Sequence, residues 1–432
     1  MKKSTLLPAL TTCVCNTARH PYLWAVLVAL SALAFGPSPA QAAVTEAWVQ
    51  RYNNNKLMGK ADDQAVKVVR DAAGDVIVTG FTDDGITGQD MLTIKYSGAD
   101  GSVIWQKRYN GPANSDDFPN ALAVDGSGNV VVTGYSLGSE GDDDGYTAKY
   151  AALDGALVWE KRYNGPANTA DFPSTVAVDG SGNVVVTGSP STVKYAAADG
   201  ALLWEKRYDD GSGTPHVVAV DGSGNVVVTG RSASDYYTAK YAALDGALVW
   251  EKRYNGVGNR DDFATAVAVD SSGNVVVTGV SDSQNGDGYY NSDYYTAKYA
   301  ATSGALLWEI CYNGPGNGDD GVGTSRSLAL GPNGMVAITG YSDGNPGQGN
   351  AYDYATVVYR ENLPPVSIAL VPTGIRVRFT GVPGQSYTIE RAPAVTGPWT
   401  TLNTQTAPAP RLIEYLDVLP PPGQAFYRTV QP

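Results

Sequence analysis

Adjacent carboxylates recur along this chain and are its clearest candidates for chemistry. They fall in loops between short β-rich runs, with Tyr and Asn between them, and such groups bind cations or polar ligands. The candidate binding residues are Asp116, Asp117, Asp143, Asp144, Asp261, Asp262, Asp287, Tyr289, Asp319 and Asp320. We expect them to form an acidic loop surface that binds a glycan, a protein or Ca²⁺. The alternative is that they are solvated turns that keep the protein in solution.

Other kinds of site lack the residues they need. After residue 42 the chain contains one His, His216, and one Cys, Cys311, so a clustered His/Cys zinc site is excluded. A Ser-His-Asp triad would have to use His216, which aligns with Asn120 and Ser174 and is interpreted as a rim residue. We therefore expect a non-catalytic protein without a cofactor, with Ca²⁺ as a weakly indicated ion. The alternative is a carbohydrate-active enzyme that uses an Asp pair.

Residues 1–42 are predicted to be a secretory signal peptide. A basic start at Lys2 and Lys3 precedes an apolar run from Tyr22 to Phe35, and Ala40-Gln41-Ala42 is a small-x-small cleavage site. The run is shorter than the ~20 residues of a membrane span, but an uncleaved anchor is the alternative. The prediction is a secreted or cell-envelope protein with no membrane span after cleavage.

The charge of the chain restricts its partners. The formal net charge is −13, and it becomes −16 without residues 1–42, which hold Lys2, Lys3, Arg19 and no acid. Clustered Lys and Arg are needed for phosphate contacts, so nucleic acid is not an expected partner. An extracellular protein or polysaccharide is the expected partner of a monomer.

The elements that position the acidic loops are organised around one hairpin, whose clearest copy runs from Asp144 to Gly165. Two β-rich runs flank Asp154-Gly155, a pair that favours a two-residue type I′ turn. Such a turn sets the register of the hairpin, with Leu153 opposite Ala156, Tyr150 opposite Trp159 and Lys149 opposite Glu160. The repeated Arg of the second strand is interpreted as part of a solvated face; its copies are Arg51, Arg108, Arg162, Arg207 and Arg253.

The hairpin belongs to a four-strand unit that recurs six times. A Val-rich strand marks each copy and ends at Gly80, Gly134, Gly188, Gly230, Gly279 and Gly340. Units of this size with four strands each are typical of β-propeller blades, while a solenoid of hairpins is the alternative. The fold class is therefore all-β: a six-bladed β-propeller at residues 43–360, with seven blades as the less favoured count.

The two ends of the repeat region each lack a partner strand. Residues 46–52 read as an outer strand without a preceding neighbour, and 353–359 as the strand that should pair with it. Joining them would close the ring and remove two exposed sheet edges. Val49 and Val358 would then stand at the positions that hold Glu and Lys in other copies.

The repeat resembles a known family. The order G-A-L-V-W, Y-N-G, D-D-F, A-V-D-G-S-G-N-V-V-V-T-G-Y-S, D-G-Y-T-A-K-Y looks like the bacterial β-propeller repeat family abbreviated SBBP, over nearly all of residues 44–360. The resemblance implies a secreted or surface propeller and carries over no catalytic residue. The A-L-D-G-A-L-x-W hairpins also resemble the Trp-docking hairpins of quinoprotein dehydrogenases, whose added cofactor site is not found in this sequence.

A different module follows the repeats. Residues 361–366 are predicted to be a linker, and 367–432 contain short alternating strands separated by Pro and Gly turns. The series Y-x-I-E-R, G-P-W-T-x-L, Y-x-D, F-Y-R resembles fibronectin type III-like C-terminal modules of bacterial surface and secreted proteins. A small β-sandwich is therefore expected there.

Overall fold

A computed structural model describes most of the chain beyond residue 45. The described residues are 46–54, 62–83, 85–166, 168–208, 214–257, 259–284, 290–323, 327–331, 334–344, 352–361, 367–381, 386–407, 412–421 and 425–430. The predicted signal peptide, most of the predicted linker, Asp287 and Tyr289 lie outside them. The chain divides into two compact units, Met1–Ala47 and Trp48–Pro432, and the second holds all the strands of the described residues. No helix among these residues is long and apolar enough to cross a membrane.

Five four-stranded antiparallel sheets, here numbered I to V, follow one another along the chain. Their strands are, in sheet I, β1 (Gln64–Arg70), β2 (Val76–Asp83), β3 (Gln89–Tyr96) and β4 (Val103–Tyr109); in sheet II, β5 (Asp117–Val124), β6 (Val130–Leu137), β7 (Asp143–Tyr150) and β8 (Leu157–Tyr163); in sheet III, β9 (Phe172–Val178), β10 (Val184–Ser189), β11 (Ser191–Tyr195) and β12 (Leu202–Arg207); in sheet IV, β13 (Thr214–Val220), β14 (Val226–Ser232), β15 (Asp235–Tyr241) and β16 (Leu248–Tyr254); and in sheet V, β17 (Asp262–Val269), β18 (Val275–Gln284), β19 (Tyr290–Tyr299) and β20 (Leu306–Tyr312).

Sheet VI has an interrupted first strand. The short strands β21 (Gly321–Val322) and β22 (Leu328–Leu330) both pair with β23 (Val336–Asp343), and β24 (Tyr352–Tyr359) pairs with the other edge of β23. Each sheet packs on the next through apolar side chains, as between sheets I and II, where Trp105 and Met91 meet Val130 and Tyr146. The first strands of sheets I to V line one cavity of about 170 Å³. Consecutive four-stranded sheets whose first strands line one cavity are the arrangement of a β-propeller, as predicted.

The register of the hairpins differs from the prediction. Tyr150 stands opposite Leu157, two residues from its predicted partner Trp159. A bulge between Lys149 and Tyr150 reduces the shift to one residue, so Lys149 stands opposite Trp159 and Ala148 opposite Glu160. The turn is also longer than two residues, since Ala151 N–H donates to the Ala156 carbonyl and Gly155 N–H donates to the Ala151 carbonyl. The predicted type I′ turn and the Lys–Glu pairs are therefore wrong.

The repeated Lys pairs with an Asp of the same sheet. Lys149 is buried, and its Nζ lies 2.9 Å from an oxygen of Asp125, in the turn between β5 and β6. The same Nζ donates to the carbonyls of Gly182 and Ala197 in sheet III, so each Lys ties its sheet to the next. Although burial alone would raise it, the pKa of Asp125 is held below its usual value by hydrogen bonds from Lys149 and Asn129.

Gly155 shows why the Asp-Gly turn recurs. Its φ is +66°, a conformation that favours glycine, and a Cβ at this position would lie 2.7 Å from Cδ2 of Trp105 in the preceding sheet. The Trp105 indole packs against Tyr150 with ring centroids 6.2 Å apart and donates from Nε1 to the Ala152 carbonyl at 3.2 Å. The turn is thus a docking point for the neighbouring sheet.

The predicted closing strand is not formed. Residues 46–54 contain no strand, and among the described residues β24 pairs with β23 alone. Val358, on β24, occupies the position of the repeated Lys, and the position of its Asp partner is Gly331. The sequence suggested that Val358 and Val49 replace a charged pair together. In the structure, Val358 and Gly331 are the two residues that replace the Lys–Asp pair of the other sheets.

Residues 367–430 form two three-stranded sheets with a shared core. One sheet has the order β25 (Ser367–Val371), β26 (Gly374–Thr380), β29 (Leu412–Asp417), and the other β28 (Thr400–Thr406), β27 (Ser386–Ala392), β30 (Phe426–Val430). Val377, Phe379 and Ile413 of the first sheet pack on Tyr387 and Ile389 of the second. This arrangement agrees with the small β-sandwich expected from the sequence.

Candidate functional site

The loops between successive sheets and those between the second and third strands of a sheet meet at one end of the strands. Asp171 N–H donates to the Asp143 carbonyl at 2.7 Å, Asp262 N–H to Ser234 at 2.6 Å, and Asp320 N–H to Ser292 at 2.5 Å. We call this end the loop face and the opposite end, which holds the Asp-Gly hairpin turns, the turn face. The described acids singled out from the sequence lie on the loop face.

In the pairs Asp116–Asp117, Asp261–Asp262 and Asp319–Asp320, the second Asp is buried and closes its own loop. Its Oδ2 accepts the backbone N–H of the Gly six residues earlier, at 2.6 Å for Asp117, 2.7 Å for Asp262 and 2.5 Å for Asp320. Asp171, which sequence reasoning did not select, does the same with Gly165 at 2.8 Å. These carboxylates hold the connection between sheets in place.

In the same three pairs, the first Asp is more exposed and reaches the preceding sheet. Asp116 accepts the N–H of Gln89 at 2.9 Å, and Asp319 accepts that of Ser292 at 3.1 Å. Asp261 instead lies 2.8 Å from a guanidinium nitrogen of Arg231. All three connect neighbouring sheets at the surface, where a ligand could also reach them.

The repeated Arg residues were predicted to form a solvated face. Some of them also bind carboxylates within their own sheets. Arg162 donates from Nη2 to Asp144 Oδ2 at 2.8 Å and from Nη1 to Ser136 at 2.8 Å. Arg108 binds Asp90 in the same way. Asp144 is therefore bound to an Arg of its own sheet. Asp143 is half-buried, and its pKa is raised first by burial and then by the neighbouring charges of Asp142 and Asp144.

Replacing Asp171 with Asn is expected to stabilise the protein at neutral pH. Asp171 is 2% exposed, and its pKa is raised by burial, although the Gly165 N–H opposes this. A raised folded pKa means that ionisation disfavours the folded state, so stability falls as pH rises through that pKa. We expect a gain of about 0.5–2 kcal/mol at pH 7 in denaturant titrations. The gain should vanish below about pH 4, where both states bind the proton.

The matched control is Asp125→Asn, because the pKa of Asp125 is lowered instead. That variant should lose stability at pH 7. A loss of stability for Asp171→Asn at pH 7 would contradict the claim that the ionised Asp171 carboxylate destabilises the folded protein.

The inner strands carry a repeated bulge at the loop-face end of the central cavity. The extra residue is Asn120 in β5, Ser174 in β9 and His216 in β13, which confirms the predicted equivalence of these three. His216 is exposed, and partial desolvation by its neighbours lowers the pKa of its imidazole. Of the cavity-lining residues, Lys67 alone is charged within the described part of the chain.

Two further residues with reactive side chains, Ser136 and Cys311, lie on strands of the propeller. Ser136 lies in a G-x-S-x-G sequence, but β6 leads into another strand rather than the helix of a nucleophile elbow, and its Oγ accepts from Arg162. Cys311 is exposed on β20, at the position of Arg162 and Arg253. In the residues described, no group of three or more His, Cys, Asp or Glu is arranged to hold a metal ion.

Four aromatic residues form a continuous row across sheets I to III on the loop face. Phe81 lies in the second half of β2 and packs edge-on against Phe118, with ring centroids 5.3 Å apart. Phe118 contacts Tyr135 at 5.4 Å, and Tyr135 packs edge-on against Phe172 at 5.2 Å. Phe172 is 40% exposed and the other three rings are half-buried. We call these four residues the aromatic row.

The aromatic row was missed in the sequence because its members come from four strands. The signal was present in the repeat itself. The position after the Gly of the Val-rich strand is Phe81, Tyr135, Ser189, Arg231, Val280 and Tyr341 in successive copies. Every flanking position is nearly constant, so the variation marks the place where the copies differ in surface chemistry.

The fold and its repeated seams define the class of protein: a β-propeller repeat protein. A family model described as "Outer membrane protein assembly factor BamB" (PQQ_2) matches residues 73–192, 143–320 and 191–353, which together span more than half of the chain. The chain belongs to this family. The predicted β-propeller repeat protein is thereby confirmed at the level of its class, while the finer SBBP resemblance is not what the match identifies.

Solved propellers are similar to this chain only at a distance. BamB from Moraxella catarrhalis is 15% identical, covering 73% of this chain and 93% of that one with a TM-score of 0.33. The quinohemoprotein alcohol dehydrogenase ADHIIG from Pseudomonas putida HK5 is 12% identical, with coverage of 71% and 61% and a TM-score of 0.41. The Dos1 propeller is 9% identical, with coverage of 79% and 84% and a TM-score of 0.43. No curated protein matches the chain.

Proposed function

We propose that this protein is a non-catalytic binding scaffold of the cell envelope or cell surface that receives a protein partner on its loop face. The family description, an assembly factor of the outer membrane, supports a role in holding other proteins. The predicted signal peptide at residues 1–42 would deliver the chain to that compartment. A glycan and Ca²⁺ are the other ligands that the acidic loops suggested.

One observation carries this proposal. The repeated polar residues are engaged within the protein: Lys149 with Asp125, Arg162 with Asp144, and Asp117 with Gly111. The aromatic row is instead specific to sheets I to III and partly exposed. Binding is expected at a surface whose residues differ between copies of the repeat and which a rigid scaffold holds in place.

The propeller that presents this face is proposed to be a closed ring of six blades. Trp48 packs on Tyr96 at 6.0 Å and donates to the Gly98 carbonyl, which repeats the contacts of Trp105 with Tyr150 and Ala152. In the closed ring, residues 46–52 would form a strand that pairs with β24, whose Tyr354 and Val358 are 85% and 48% exposed. SBBP-like repeats and a fibronectin type III-like sandwich complete the proposal.

The binding proposal is tested by site-specific photo-crosslinking in cells that make the protein. A photoreactive amino acid at Phe172 on the loop face should give a discrete protein adduct, while the same group at Ser127 on the turn face should give none. Equal adducts from both faces, or none from Phe172, would overturn the proposal.

A further inference from the structure

We propose that the aromatic row, together with Asp116 and Asp143, binds an arginine-rich segment of the partner protein. This inference rests on the proposed function and names the chemistry of the partner. It is argued from two seams of the propeller that carry the same ring pair, and from a third seam where the chain supplies its own guanidinium.

The first two seams share one local arrangement. Between sheets I and II, Phe81 and Phe118 meet at an interplanar angle of 79°; between sheets II and III, Tyr135 and Phe172 meet at 82°. An edge-on pair presents the face of one ring beside the edge of the other. Such walls suit a cation, which is attracted to ring faces, better than a flat sugar, which needs one open platform.

Each ring pair has a carboxylate beside it. Asp116 precedes Phe118 by two residues, and Asp143 lies at the start of β7, where its carbonyl accepts the N–H of Asp171 next to Phe172. Besides burial, both acids raise the pKa of Tyr135, so both lie near its ring. Neither Asp116 nor Asp143 forms an ion pair in the part of the chain described. Both seams therefore combine aromatic faces with uncompensated negative charge.

At the seam between sheets IV and V, a cation of the chain itself replaces one ring of the pair. Arg231 occupies the position of Phe81, Phe263 that of Phe118, and Asp261 that of Asp116. The Arg231 guanidinium lies 2.8 Å from Asp261 Oδ1. The loop-face carboxylate of this repeat thus accepts a guanidinium. At the first seam Phe81 takes the place of Arg231, so a guanidinium for Asp116 would come from outside the chain.

Arginine is favoured over lysine as the recognised group. Its planar guanidinium stacks on aromatic faces and donates to a carboxylate from two nitrogens, whereas an ammonium is a compact and strongly hydrated charge. The spacing of one blade between the two seams would let two Arg of an extended segment bind together. The net charge of −13 favours the approach of such a segment.

The test is calorimetric titration of the full-length protein with octa-arginine, octa-lysine and a neutral hexaglucan. We expect octa-arginine to bind roughly three- to tenfold more tightly than octa-lysine, the size of a cation–π contribution of about 0.5–1.4 kcal/mol. Asp116→Asn with Asp143→Asn should weaken octa-arginine binding at least tenfold. The control Asp154→Asn with Asp199→Asn removes the same charge from the turn face and should change affinity less than twofold.

Aromatic variants separate stacking from charge. Phe118→Leu with Tyr135→Leu should abolish the preference for arginine, while Phe263→Leu, at the seam already filled by Arg231, should leave it unchanged; melting temperatures confirm that each variant is folded. Equal losses of octa-arginine affinity in the two double Asp variants would overturn the proposal, because they would show attraction by net charge alone. Binding of the hexaglucan in place of the peptides would overturn it as well. If crosslinking through Phe172 succeeds while the peptides show no preference, this inference fails and the binding scaffold stands.

Discussion

Lys149→Met is expected to destabilise the propeller by about 3–5 kcal/mol, because it leaves the Asp125 carboxylate buried without its cation. The side chains of Lys149 and Asp125 are 3% and 4% exposed, and the Lys also binds two carbonyls of sheet III. The loss should therefore include both an unpaired charge and a seam contact. Equilibrium denaturation of the two proteins measures it.

The control for Lys149→Met is Lys161→Met, a half-buried Lys on the neighbouring strand, which should change stability by less than about 0.5 kcal/mol. Combining Lys149→Val with Asp125→Asn should recover much of the loss, because sheet VI already has Val358 and Gly331 in these places. The double variant removes both charges together, as that sheet does.

The effect of Lys149→Met should depend on pH in one direction. The pKa of Asp125 is lowered in the folded protein, so the pair stabilises above the unfolded pKa of about 3.9 and the contribution is lost as pH falls through the folded value. The difference in free energy of unfolding between wild type and Lys149→Met should therefore become smaller in acid. A gap that stays constant from pH 7 to pH 3 would contradict the buried ion pair.

Trp105→Ala should cost about 3–5 kcal/mol, as is usual for removing a buried Trp. The indole is 6% exposed, packs on Tyr150 and closes over Gly155 of the next sheet. Thermal and denaturant unfolding measure the loss. Because each seam uses one such Trp, the effect reports the strength of a seam between blades.

Trp48→Ala is the informative partner of Trp105→Ala. If residues 46–52 complete the sixth blade, Trp48 seals a seam like the others and its loss should cost a comparable amount. A change below about 1 kcal/mol would show that this segment adds little to the propeller and would contradict ring closure.

The sequence predicted the repeating sheets because their signals are local. Val-rich strands and Asp-Gly turns identify strands and hairpins without knowledge of distant contacts. The register was missed by two residues at Tyr150 and by one at Lys149, because the turn has four residues and a bulge follows Lys149. The true partner of Lys149 is Asp125, 24 positions away, and only the folded sheet brings them together.

The candidate site was predictable in location and not in detail. The loop face follows from strand order, and Asp116 and Asp143 lie there, each near the loop of a neighbouring sheet. The burial of Asp117 and Asp262 could not be read from an acidic sequence, because it depends on Gly N–H groups that point at them. The aromatic row joins residues from different sheets, and only contacts between sheets reveal it.

A protein partner that binds the aromatic row through arginine should compete with arginine-rich peptides for that surface. The competition is measured by photo-crosslinking from Phe172 in the presence of octa-arginine, octa-lysine or a neutral hexaglucan. Octa-arginine should suppress the adduct at lower concentration than octa-lysine, and the hexaglucan should leave it unchanged. An adduct that persists at saturating octa-arginine, or that the hexaglucan removes, would contradict this mode of binding.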